Sequence, residues 1–378
     1  MQILMTFIGG NGHFQPMVPL AQTAQAAGHT ITVVCGQSML ACVQNTGFDA
    51  IAIGKKNTGI VERIPLRPVD MAREMNDLHE KFARQGARNR AVALLPVCET
   101  RQPNLIICDE LDFGAMIVAE HLNIPHVTVL VIAAGGFVLP EIVAEPLNKI
   151  RAEYKLSPDP MLKMLSQHLM LSPFPEQYRN PAYPLPENAR LMRPPLPQTD
   201  SVYPIKKHFP DAPVLYFTLG TIFNTESGDL FGRVLTALQT LEINVIVTTG
   251  KHINPSEFST QPPHIHITNY IPQAELLPHC DLMISHGGSG SVMGALSHGL
   301  PMLIIPMGAD QPLNAERCKT LGAGKMLDAV TANPSDIRDA INDLLQNASY
   351  HQAAKMLRDD IHAMPDVTTI MPLLENLI

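Results

Sequence analysis

Two histidines set in glycine-rich turns carry the chemistry open to this chain. In residues 281–299, DLMISHGGSGSVMGALSHG, an aliphatic run ends at Ser285, a turn of His286-Gly287-Gly288-Ser289-Gly290 follows, and a helical pattern begins at once. Glycines let the backbone approach an anion closely, and the N–H groups and dipole at a helix start favour negative charge. His286 and Ser291 can add side-chain donors to the same anion. A tight turn that merely needs glycine would explain the Gly residues. A His leading the turn and a Ser just inside the helix favour a diphosphate site.

His13 follows Gly9-Gly10-Asn11-Gly12 after the first aliphatic run and precedes a Pro-initiated helix. An imidazole can take a proton from a hydroxyl near neutral pH when its tautomer and orientation are fixed. A carboxylate bonded to the other ring nitrogen does both, as in a Ser-His-Asp triad. Asp109 is the best candidate, because it closes the run Leu105–Cys108, a strand expected in the same sheet with its end facing the same way. Glu110 and Asp112 compete for that role. A lone His in a loop is more often a polar loop residue, so spacing alone leaves the base open.

The elements that must hold these groups alternate between short β-branched runs and helical patterns, the signature of a parallel sheet covered on both faces. Strands are expected at Ile3–Ile8, Ile31–Cys35, Asp49–Ile53, Leu105–Cys108 and His126–Val131, with helices over Pro16–Ala27 and Phe113–Leu122. Ile60–Glu99 is helical but irregular, and Ala133–Tyr178 is apolar and Pro-broken; both read as insertions that shape a pocket. After a Pro-rich linker the alternation restarts, with strands at Val214–Thr218, Val245–Thr249, Ile265–Thr268, Leu282–Ser285 and Met302–Ile305. Helices are expected near Leu230–Leu241, Ser289–His298, Asn314–Leu321 and Pro334–Leu345, and amphipathic ones close the chain. The domains are therefore 1–192, a linker 193–213, a second domain 214–349, and terminal helices 350–378 that can pack back on the first domain. Two doubly wound domains imply a cleft, with ligands at the carboxyl ends of the strands.

Composition sets the bounds. The 378 residues suffice for two domains, and 46% hydrophobic against 16% charged residues describe a folded globular chain. A net charge of −8 with no basic run gives no reason to expect a nucleic-acid partner. The opening MQILMTFIGG reads as a strand rather than a signal peptide, and the run from His126 to Pro140 is too short to span a membrane. The six Cys form no CxxC pair and suit reduced core thiols in a cytoplasm. Nineteen Met suit core positions or a pocket for an irregular apolar ligand.

The stretch from Ile267 to Leu327 resembles the donor-binding region of family 1 glycosyltransferases of the GT-B fold, the bacterial natural-product sugar transferases. The pieces are Tyr-Ile-Pro-Gln at 270–273, Leu276-Leu277-Pro278, HGGSGS at 286–291, GxP at 299–301, and GADQ with Asn314-Ala315 at 308–315. GNGHFQPMVPLAQ and PNLIICD extend the resemblance over nearly the whole chain. It implies an α/β GT-B fold of two Rossmann-like domains facing across a cleft. The N-terminal domain would bind the acceptor, and the C-terminal domain the nucleotide sugar. It implies that Tyr270 stacks on the base, that backbone groups at Ile271 read the base edge, and that His286, Gly290 and Ser291 contact the diphosphate. Asp310 and Gln311 would bond the donor sugar, and Thr221 would lie near the phosphates. Gly12, Gly287, Gly288 and Ser289 complete the expected donor site. His13 and Asp109 fall where the family carries its base and the acid that orients it.

The implied reaction is one in-line displacement at the anomeric carbon, inverting its configuration, onto a hydroxyl of an apolar acceptor such as a polyketide. The chain has no Asp-X-Asp motif, so neither a metal nor another cofactor is expected. One departure bears on the donor. Relatives that use UDP-sugars carry a Glu eight residues after the motif His, bonded to the ribose; here that position is Gly294, which points to a dTDP-sugar. Gly294 could equally serve close helix packing. A nicotinamide oxidoreductase is disfavoured, since the third position of GxGxxG is Gln15 and the second strand ends at Cys35-Gly36 without an acidic residue. A non-catalytic homologue that activates another enzyme, or an epimerase of the same fold, stays open, and a homodimer is allowed but not indicated.

Overall fold

Short runs of three to seven residues, most of them aliphatic, become the strands of two parallel sheets. The computed structural model describes residues 1–54, 63–194, 203–205, 207–221 and 223–378. Residues 195–202 and 206 of the expected linker, and the start of the irregular stretch at 60–62, lie outside them. The chain divides into two compact units: Met1–Gly59, Ala72–Pro195 and Ala363–Ile378 form the first, and Ile60–Met71 with Leu196–His362 form the second.

The first unit holds β1 (Gln2–Thr6), β2 (Thr30–Gly36), β3 (Asp49–Ile53), β4 (Leu105–Asp109), β5 (His126–Val129), β6 (Leu169–Ser172) and β7 (Ala189–Leu191), in the order β3-β2-β1-β4-β5-β6-β7. Every neighbouring pair is parallel. All five residues of β4 are buried, as a central strand covered on both faces requires. Its helices are α1 (Asn11–Phe14), α2 (Val18–Ala26), α3 (Leu40–Asn45), α4 (Met71–Asp77), α5 (Ala87–Arg101), α6 (Phe113–His121) and α7 (Pro140–Glu153). Between α4 and α5 the helix widens into a π-helical stretch, Leu78–Gly86. Only glycine fits at its end: a Cβ on Gly86 would lie 2.7 Å from the Lys81 carbonyl oxygen.

The two stretches read as insertions are instead parts of the α/β alternation. The first forms α4, the π-helical stretch and α5, which connect β3 to β4. The second supplies α7 and β6, a crossover that adds a strand beside β5. The four-residue strand Leu169–Ser172 is too short to show a period, and Pro146 inside α7 breaks the helical signal.

The second unit repeats the plan with β8 (Val214–Thr218), β9 (Asn244–Thr248), β10 (Ile265–Thr268), β11 (Leu282–Ser285), β12 (Met302–Ile304) and β13 (Gly324–Met326), ordered β10-β9-β8-β11-β12-β13 and all parallel. Around it lie α8 (Leu230–Leu238), α9 (Gln273–Leu276), α10 (Ser289–Ser297), α11 (Gln311–Thr320), α12 (Pro334–Gln346) and α13 (Ala348–Ala363). The segment from residue 63 joins this unit through Ile64 N–H, which donates to the Thr225 carbonyl at 3.0 Å. The chain then returns to the first unit. Ile370, together with Met371 and Leu374 of α14 (Met371–Glu375), enters the same core as Leu20, Ala21 and Ile31. No helix among the described residues is long and apolar enough to cross a membrane.

Candidate active site

The turn after β1 is built to present His13. Phe7 and Phe14 are fully buried and stack with ring centroids 5.1 Å apart, which fixes α1 against the end of the strand. Gly9 takes a left-handed conformation (φ 79°), and a Cβ there would come within 3.1 Å of the His13 ring. Only glycine allows both the turn and the ring's position. His13 Nδ1 lies 3.2 Å from Asp109 Oδ2. Asp109 is wholly buried, whereas the His13 side chain keeps 21% exposure, so one partner is fixed and the other can be reached. Asp109 also accepts the N–H groups of Ile8 on Oδ2 and Leu111 on Oδ1, each at 2.7 Å. A carboxylate oxygen can only accept from the ring, so Nδ1 carries the hydrogen and Nε2 is the proton-accepting nitrogen.

The two competing acids are engaged elsewhere. Asp112 caps α6 at Ala115 N–H and accepts from Arg90 Nε at 3.0 Å and from the Thr6 hydroxyl at 2.9 Å. Burial pushes its carboxyl up, with Arg90 opposing. Glu110 turns to the backbone beyond β5. Arg90 also donates to the Thr6 hydroxyl and, at 2.8 Å, to the Phe7 carbonyl, so it braces the base of the His13 turn. It can do so because α5 and α6 cross closely at Gly114, where a Cβ would lie 2.5 Å from the Ala87 carbonyl oxygen. Beside these residues a cavity of about 310 Å³ opens among Ile8, Ile53, Phe82, Ala93, Leu111 and Phe113. Gly12 is exposed, with nothing within 4 Å of where its Cβ would stand.

In the second unit β11 ends at Ser285 and α10 starts at Ser289, with Gly288 as its N-cap and no side chain capping it. A helix start without a side-chain cap favours an anion near the N–H groups of Gly290 and Ser291. His286 is wedged between two glycines: a Cβ on either Gly220 (φ 74°) or Gly288 would fall 2.6 Å from its ring. Its buried Nδ1 has no hydrogen-bond partner among the described residues. Burial pulls its pKa down to about 4, so the ring is neutral at physiological pH. Neither glycine is replaceable without moving the ring. In the first turn of α10, Ser291 is partly buried and Gly290 exposed.

Ser289, Asp310 and Asn314 are joined by hydrogen bonds. Ser289 Oγ donates to Asp310 Oδ2 at 2.8 Å, and Asn314 Nδ2 donates to the same oxygen at 2.8 Å and to the Gly287 carbonyl at 2.9 Å. Gln311, expected on the sugar, is 2% exposed and turns its Oε1 back to the N–H groups of Met307, at 2.8 Å, and Gly308. As it stands, Gln311 shapes the turn, and only its Nε2 could serve a sugar. Tyr270 is 63% exposed, Ile271 is buried beside it, and Thr221 is exposed next to Gly220. Among the described residues no group of three or more His, Cys, Asp or Glu could hold a metal ion.

Residues 232–377 match the family described as erythromycin biosynthesis protein CIII-like, C-terminal domain. A 4'-demethylrebeccamycin synthase of Lentzea aerocolonigenes is 26% identical over all of this chain and 99% of its own. An uncharacterized UDP-glucosyltransferase YojK of Bacillus subtilis is 32% identical over 150 residues, 40% of this chain and 37% of that protein. The solved spinosyn rhamnosyltransferase SpnG shares the fold with a TM-score of 0.84 at 21% identity, covering all of both chains. Other SpnG structures carry thymidine diphosphate and spinosyn aglycone. The chain is a glycosyltransferase with the GT-B fold, similar to the bacterial natural-product family 1 enzymes.

Sequence reasoning about this glycosyltransferase missed Arg90, Gly9 and Gly220. Arg90 gave a signal, an arginine spaced with Ala87, Ala91 and Leu94 on the buried side of a helix. The glycines gave none beyond their type. Gly294 is close-packed: a Cβ there would stand 3.2 Å from Leu277 Cδ1 and 3.3 Å from Gln273 Oε1, so part of its role in the transferase is to seat α9 against α10.

Proposed function

We propose that this glycosyltransferase moves a hexose or deoxyhexose from a dTDP-sugar to a hydroxyl of an apolar small molecule, a polyketide or other natural-product aglycone, with inversion and without a metal ion. The observation that carries the mechanism is the His13–Asp109 contact of 3.2 Å with a fully buried carboxylate. Nε2 takes the proton of the acceptor hydroxyl as its oxygen bonds to the anomeric carbon. The bond from that carbon to the diphosphate oxygen breaks in the same displacement, which inverts the configuration. Asp109 then stabilises the imidazolium. The charge on the leaving diphosphate is met by the amides at the start of α10 and by the neutral His286, a preorganised set that supplies what a metal would otherwise supply. The largely apolar wall of the 310 Å³ cavity supports an apolar acceptor. Gly294, which offers no carboxylate to a ribose 2'-hydroxyl, supports the dTDP donor, as does the thymidine diphosphate bound to SpnG.

The test is a screen of the purified protein with dTDP- and UDP-sugars against free aglycones, read by mass spectrometry and by the anomeric proton coupling of the product. A product of inverted configuration, formed best from a dTDP-sugar and unaffected by chelator, is expected. Retained configuration would remove His13 as the base. Competition titrations of dTDP against UDP decide the nucleotide, and a clear UDP preference would sink that part. In either case Gly294→Glu must displace Gln273, so a loss of binding there would report packing rather than base choice.

A further inference from the structure

Glu110 follows Asp109 directly but serves a different partner. It is 6% exposed, and its Oε1 accepts the N–H groups of Val131 and Ile132, both at 2.6 Å. These residues lie just past β5, which runs beside β4 with Val129 opposite Asp109. Farther on, Gly135 and Gly136 both have left-handed backbones (φ 70° and 76°). The Arg179 guanidinium and the Tyr183 ring fill the places of their missing Cβ atoms, at 2.8 and 2.5 Å. Arg179 donates through Nε to the Tyr183 carbonyl and attracts Glu110 electrostatically. Segment 131–136 is therefore held at one end by a carboxylate and at the other by the arginine that faces it.

We propose that Glu110 is a positioning residue for acceptor binding, its ionised carboxylate holding segment 131–136 at the end of the sheet where His13 stands. This rests on the reading of His13 as the base. Two charge-assisted bonds to adjacent amides and the attraction of Arg179 all favour the ionised form as the holding form. Among the described residues Arg179 and Asp109 are the charged groups that face it. Burial raises the Glu110 carboxyl to about 7, while the two amides and Arg179 pull it down and Asp109 pushes it up. Protonation then falls within the working range and loosens the segment.

The experiment measures acceptor KM and kcat for the full chain, Glu110→Gln and Glu110→Asp between about pH 6 and 8.5, together with amide exchange over 131–136 without any substrate. In the parent, acceptor KM is expected to fall several-fold as pH rises through about 7. In Glu110→Gln it should stay at the low-pH value at every pH, with faster exchange in the segment at the alkaline end and the kcat profile unchanged. Glu110→Asp, which keeps the charge, should keep the inflection. A parental KM profile and parental exchange in Glu110→Gln would overturn the proposal, as would a flat profile in Glu110→Asp. If the parent transfers no sugar at all, the transfer reading fails, and the exchange comparison still decides the role of Glu110.

Discussion

Removing the His13 ring deletes the only proton acceptor assigned to the reaction. His13→Ala is expected to lower turnover on the order of a hundredfold or more, with nucleotide affinity unchanged in calorimetry. Asp109→Asn should lose activity as well. It should also lower stability by roughly 1–3 kcal/mol in urea titrations, because an amide group must then face an N–H that a carboxylate oxygen now satisfies. On the donor side, His286→Ala and Ser291→Ala should each weaken nucleotide diphosphate binding by roughly 1–3 kcal/mol, and unaltered binding in both would remove the assignment. His286 also makes a pH prediction. Its pKa in the folded protein, about 4, is below the ordinary value of 6.5. Its stabilising contribution is therefore complete above about 6.5 and is lost as pH falls toward 4. His286→Gln, which cannot protonate, should lose less stability between neutral pH and pH 5 than the parent. The two histidines stood out in the sequence as glycine-flanked residues after strands, and Asp109 as the residue closing a neighbouring strand, although Glu110 and Asp112 were open alternatives to it. The pairing of Asp112 with Arg90 was not legible, because it joins residues 22 apart across two helices.

Helix crossings decide where those side chains stand. At Gly114 an added methyl would press on the Ala87 carbonyl and on Arg90, both backed by packed helix. Gly114→Ala is thus expected to cost about 1–3 kcal/mol in a denaturant titration and to reduce turnover, since Arg90 moves with α5. Gly12→Ala, with open space around it, should leave stability nearly unchanged. The contrast tests whether steric room, rather than glycine as such, governs this unit. Most strands were readable as short aliphatic or β-branched runs, and Asp49–Ile53, Val214–Thr218, Ile265–Thr268 and Leu282–Ser285 have the expected ends. β6, β7 and β13 were not: β6 lies in a Pro-broken stretch, and β7 and β13 are three-residue edge strands with a charged residue at their centre. The π-helical stretch has no composition of its own; it shows only through the 2.7 Å approach at Gly86.

For the whole molecule, the decisive feature is that the first unit borrows its last core residues from beyond the second. Ile370 and Leu374 are 1% and 0% exposed within the core built on β1 and β2. Leu374→Ala should cost roughly 2–5 kcal/mol, and it should lower the melting transition of the first unit while leaving that of the second in place. Differential scanning calorimetry with a dTDP-bound and an unbound sample separates the two, because the nucleotide is proposed to stabilise only the second. The same feature makes the two units differ in how much of the chain each requires. The second unit is complete at His362, whereas the sheet made first also needs the core residues at 370–374. A ribosome that stalls or terminates before residue 370 therefore releases a chain whose donor-side unit is complete while its His13 unit stays open to proteases.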